Sequence, residues 1–143
     1  MILKIFFKNL VLILILCLAT IMAADDYENA EKGSIRGALS VTLAVTLATT
    51  DPVVTGPPIA FYAMCCAAVD STKFLCNRIR CLGYNNREER AFLNQQADRQ
   101  FVRTLSYASA SLLILNDSIC RLRTGYSSNI GAVALALIGA ADD

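Results

Sequence analysis

The chain has 143 residues, with 13 Lys and Arg, 12 Asp and Glu, and neither His nor Trp. That length suits a single domain, and the lack of His removes Ser-His and Cys-His nucleophile pairs and every His-ligated metal site. With 55% hydrophobic and 17% charged residues, the composition supports a buried core and argues against intrinsic disorder.

Residues 1–24 read as a secretory signal peptide. Lys4 and Lys8 supply the positive start, Leu10 to Leu18 an unbroken apolar run, and Ala23 and Ala24 the small residues at a cleavage site. Mean hydropathy is +0.48 over the whole chain, but it falls to roughly +0.13 once residues 1–23 are set aside, an ordinary globular value. Residues 25–33 read as a flexible acidic tail, and 34–143 as one helical domain.

Segment 34–50 carries two patterns. Leu39, Val41, Leu43, Val45 and Leu47 alternate with small polar residues, as in a strand over 38–48. Ile35, Leu39, Leu43 and Leu47 also recur at four-residue steps, and no second alternating run exists to pair with a strand. A helix over 35–50 is therefore expected. Gly56-Pro57-Pro58 then marks a turn.

A helix over 58–82 follows, with Phe61, Cys65, Ala68, Thr72, Leu75, Ile79 and Leu82 on one expected buried face. Gly83 and Asn85–Asn86 signal a tight inter-helix turn. The next helix, 87–124, carries Phe101, Leu105, Ala108, Leu112, Leu115, Ile119 and Leu122 at the same spacing, with Asn116-Asp117-Ser118 as a point of interruption. Gly125 ends it, and Ser127 or Ser128 can cap a last helix over 129–141. That piece has no polar face, so it is expected to be the central core helix, enclosed by the two seams. The resulting fold class is an all-α bundle of about four helices.

Once the leader is removed, Cys65, Cys66, Cys76, Cys81 and Cys120 remain. In an oxidising compartment these imply disulfide support. Cys120 with Cys65 or Cys66 is the favoured pair, and Cys76 with Cys81 the second. An odd thiol is left over that can link a dimer, covalently or alongside non-covalent contacts. Metal ligation is disfavoured, because there is no CxxC pair.

Catalytic chemistry is sparse. Glu88, Glu89 and Asp98 lie among arginines, Lys32 and Lys73 stand in no recognisable motif, and no phosphate-binding glycine loop occurs. No enzyme activity or cofactor is expected. Lys73, Arg78, Arg80, Arg87, Arg90, Arg99, Arg103, Arg121 and Arg123 form a basic face suited to an anionic surface or an acidic partner. It lacks the interleaved aromatics of a nucleic-acid platform. Asn116-Asp117-Ser118 is an N-glycosylation sequon.

The expected function is that of a secreted helical protein binding an extracellular partner without catalysis. The alternative is a membrane-active or membrane-embedded protein that inserts 53–69 and 130–141 into lipid. Uncharged runs over 37–50, 52–69, 104–116 and 124–141 motivate it. The Gly and Pro residues within two of these runs argue that their apolar parts are too short to span.

Overall fold

The computed structural model describes residues 32–141, so the expected leader and nearly all of the acidic tail lie outside the described residues. Four helices make up the described chain: α1 (Lys32–Thr49), α2 (Pro52–Gly83), α3 (Arg87–Thr124) and α4 (Ile130–Ala141). No strand occurs among the described residues, so the strand alternative for 38–48 is set aside. In α1 the hydroxyls of Thr42 and Thr46 donate to the carbonyls four residues back, at 2.8 and 2.9 Å. The β-branched run thereby satisfies its side chains within a helix.

The turn expected at Gly56-Pro57-Pro58 does not form. α2 starts at Pro52, capped by Asp51, whose Oδ1 accepts from Val53 N at 3.1 Å. The helix runs through Pro57 and Pro58, although each lacks the N–H that would reach the carbonyl four residues back and crowds that carbonyl. Gly56 allows close approach here: a Cβ on it would collide with Ser118 Oγ.

Helices α2 and α3 form a long antiparallel hairpin, and α4 packs against α1 and α3. The hairpin register is fixed by polar contacts along its length. Ser118 Oγ donates to Pro52 O (2.7 Å), Ser111 Oγ to Ala60 O (2.9 Å), and Asn77 Nδ2 to Gln100 Oε1 (3.0 Å). The turn ends as its sequence signals: α2 stops at Gly83, and Asn86 Oδ1 accepts from Glu88 N at 3.2 Å. Gly125, at φ 72°, closes α3 with its N–H on Arg121 O (2.9 Å).

The burial pattern reverses the expected one. In α2 the buried face is Ile59, Ala60, Tyr62, Ala63, Cys66, Ala67 and Asp70; in α3 it is Ala97, Tyr107, Ala110, Ser111, Ile114, Asp117 and Ser118. The expected seams instead face outward, with Leu75, Ile79 and Leu82 on α2 and Phe101, Leu105, Leu112, Ile119 and Leu122 on α3 all exposed. The physical reason is close helix approach. Ser111 and Ser118 reach the facing backbone where Ala60 and Gly56 stand opposite them. Asn116-Asp117-Ser118 does not interrupt α3; Asp117 and Ser118 point inward and bind backbone groups of other elements.

Helix α4 is not the enclosed core helix. It buries Gly131, Ala132, Leu135 and Gly139, while Ile130, Val133 and Leu137 are exposed. Its small face explains the placement. A Cβ on Gly131 would meet the Ile114 backbone at 2.7 Å, and one on Gly139 would meet Gly37 O at 2.7 Å. Between these glycines Leu135 is fully buried, while Ile130, Val133 and Leu137 are turned outward.

The expected disulfides are not formed: Cys65, Cys66, Cys76, Cys81 and Cys120 are all free thiols. Cys120 lies near the Pro52 end of the hairpin, about 20 Å along the axis from Cys65 at the helical rise, far beyond disulfide reach. Cys76 and Cys81 stay on one continuous helix, pointing to different sides. The Cys81 thiol instead faces Arg90 O (3.6 Å) and Asn94 Oδ1 (3.3 Å) across the hairpin.

Candidate functional site

Two features stand out: a buried polar cluster shared by α1, α2 and α3, and an exterior divided sharply between uncharged and charged zones. The cluster is built on Arg36 and Asp70. Tyr62, Cys66 and Asp70 recur at four-residue steps on the inner face of α2, and Arg36 reaches them from the first turns of α1. Arg36 Nη1 donates to Asp70 Oδ1 at 2.9 Å and Nη2 to Oδ2 at 2.6 Å, a two-pronged pair. The Asp70 side chain is 2% exposed and that of Arg36 19%.

The Arg36 guanidinium also stacks over Tyr107 of α3, 4.3 Å from the ring centroid. Buried Ser40 lies between two phenols, its Oγ 3.2 Å from Tyr107 Oη and 3.4 Å from Tyr62 Oη. Three helices thus meet on one charged pair. Spacing arguments missed this cluster, because Arg36 and Asp70 are 34 residues apart. The available signal was Asp70 itself, a carboxylate that directly follows the uncharged run 52–69.

The second buried carboxylate, Asp117, serves α4. Its Oδ2 accepts from Gly131 N at 2.8 Å and its Oδ1 from Ser128 Oγ at 3.0 Å. The cap expected from Ser127 or Ser128 is therefore supplied by another helix, with Ser128 assisting.

On the exterior, α2 carries no exposed charge between Asp51 and Lys73, and α3 none between Arg103 and Arg121; the charges within, Asp70 and Asp117, are buried. At the helical rise these intervals span about 33 and 27 Å. Val45, Val54, Phe61, Met64, Leu112, Leu115, Ile119, Val133 and Leu137 are exposed within this belt. Many of its hydroxyls turn back on their own helix: those of Thr42, Thr46, Thr49, Thr55 and Thr72 each donate to the carbonyl four residues earlier.

Beyond the belt, the hairpin continues as a charged arm. Lys73, Arg78, Arg80, Arg87, Arg90, Arg99 and Arg103 lie on it or at its base, against Glu88, Glu89 and Asp98. Arg78 bridges Asp98 (2.9 Å) and Asn94 (2.9 Å), and Phe74 packs on Phe101 with ring centroids 5.5 Å apart. Arg121 and Arg123 lie at the opposite end, so the nine expected basic residues do not form one face. Asn116 is exposed on α3, whereas its sequon partners Asp117 and Ser118 are buried. Among the described residues no group of His, Cys, Asp and Glu is placed to hold a metal ion.

Comparison with protein families, with curated proteins and with solved structures found no match for this chain.

Proposed function

We propose that the chain is an exported helical protein that resides in a lipid bilayer and presents its basic hairpin arm to an anionic surface or an acidic partner, without catalysing a reaction. The observation that carries this reading is the distribution of burial: Asp70, Asp117, Ser40, Ser111 and Ser118 are buried beside Leu47, Ile59, Tyr62, Tyr107, Ile114 and Leu135, while many other large apolar side chains face outward over an uncharged belt. A hydrocarbon core is about 30 Å thick, close to the intervals on α2 and α3. Soluble monomers rarely expose contiguous apolar patches beyond a few hundred Å².

The interior supports the same reading. Without a hydrophobic drive between helices, membrane bundles rely on close packing of small residues and on interhelical hydrogen bonds. Gly56, Gly131 and Gly139 provide the first, and Ser111 and Ser118 the second. Helix α4 is about 18 Å long at the helical rise; it starts level with Asp117 and ends beside Arg103, so with 125–129 it covers the belt. α2 is long and apolar enough to cross a membrane by composition.

Alkaline carbonate extraction of membranes from cells expressing the full chain tests the proposal. Retention in the pellet is expected. Release into the supernatant would overturn it in favour of a soluble extracellular binding protein whose apolar exterior a protein partner covers.

A further inference from the structure

The charged arm and the start of α1 lie at the same end of the bundle. Arg36, five residues into α1, holds Asp70 through Nη1 and Nη2 at 2.9 and 2.6 Å and lies over the Tyr107 ring. Asp70 is three residues before Lys73, the first charge of the arm. At the other end of the belt, α1 closes at Thr49 and Asp51 caps α2. The chain therefore enters the belt beside the arm, and α1 carries it to the opposite end, where 50–51 and 125–129 join the helices.

We infer that the arm stands on the translocated side of the membrane, with 50–51 and 125–129 on the cytosolic side. The inference rests on the membrane reading and on the leader over 1–24, and it adds the orientation that decides which partners the arm can meet. A leader with Lys4 and Lys8 at its start keeps that start in the cytosol and sends the following chain across. Only seven residues, 25–31, separate the leader from α1. Fully extended they reach at most about 25 Å, short of a hydrocarbon core of about 30 Å. Asp25, Asp26, Glu28 and Glu31 are among them, and carboxylates in hydrocarbon are costly. The segment cannot recross, so α1 enters from the side to which the leader delivers it.

The arm carries seven of the basic residues flanking the belt and the opposite end two, Arg121 and Arg123. That excess favours a cytosolic arm, but Lys4 and Lys8 act on the first apolar segment, which usually dominates orientation. The consequence concerns recognition. The anionic leaflet of a membrane faces the cytosol and is out of the arm's reach, which leaves an acidic partner on the translocated side as what the arm binds.

The test translates the full chain into sealed microsomes, scores insertion first by carbonate resistance, and then applies a membrane-impermeant maleimide read by mass spectrometry. Cys76, exposed on the arm, reports one end. Tyr126→Cys in a Cys76→Ser background reports the other, at a position 73% exposed. Cys76 should be labelled only after the microsomes are opened with digitonin, and Tyr126→Cys before. A carbonate-resistant chain labelled at Cys76 in sealed microsomes overturns the inference and leaves the membrane reading standing. Protection of both positions in a carbonate-resistant chain overturns it as well, because the far end then does not reach the cytosolic side. Release by carbonate overturns both readings.

Discussion

Asp117 caps a helix to which it does not belong: from α3, its Oδ2 accepts the Gly131 backbone N–H at 2.8 Å. A helix start leaves orphan N–H groups, and α4 has no acidic residue in its first turn. The carboxylate therefore both satisfies the α4 start and pins that helix to the hairpin. Gly131 is required for the same contact, since any Cβ would meet the Ile114 backbone.

Asp117→Ala is accordingly expected to loosen α4 selectively. Loss of a capping carboxylate costs about 1–2 kcal/mol. Hydrogen exchange should show faster exchange over 130–141 with little change in the α2–α3 hairpin. Equal acceleration across both regions would show that Asp117 supports the whole bundle instead.

Removing one side of the Arg36–Asp70 pair strands the other in a poorly solvated site. Asp70→Leu should cost about 3 kcal/mol or more, whereas combining it with Arg36→Met should recover much of the loss. Thermal melts of the single and double variants in the same detergent measure the difference. A double variant no more stable than either single would contradict a simple latch.

Glycine substitutions separate close approach from open space. Gly131→Ala and Gly139→Ala force backbone shifts at 2.7 Å contacts, and such overpacking costs about 1–3 kcal/mol. Gly83→Ala, with nothing within 4 Å of an added Cβ, should be neutral or slightly stabilising, since alanine favours the helical state. Melting temperatures of the three proteins check the ordering.

The thiols should react in the order of their exposure. Cys76 is exposed, Cys65 and Cys120 are intermediate, and Cys66 and Cys81 are buried. Timed maleimide labelling read by mass spectrometry should modify Cys76 first and Cys66 and Cys81 only after denaturation. Recovery of a peptide pair joining Cys120 to Cys65 or Cys66 would contradict the hairpin register.

Element boundaries were largely legible in the sequence. Asn86 and Gly125 act through local backbone chemistry that holds in any surroundings, so they mark ends wherever the helix faces. The buried face was not legible. Leu105, Leu112 and Ile119 share an apolar stripe, but periodicity identifies the stripe without saying whether protein or another apolar phase covers it. The inward placement of Ser111 and Ser118 was not legible either, because a hydroxyl that binds a facing backbone carbonyl leaves no periodic signal in the sequence. Arg36 and Asp70 were invisible as a pair, since only the three-helix arrangement joins them.

The chain contains no Trp, so one introduced tryptophan reports its own surroundings. Leu112→Trp places it on the outer face of the belt, and Ile79→Trp on the arm, both at exposed positions. In vesicles of lipid brominated along the acyl chain, the Leu112→Trp protein should emit at short wavelength and be strongly quenched, and the Ile79→Trp protein should be neither. Long-wavelength, unquenched emission from the Leu112→Trp protein would contradict the membrane-embedded belt.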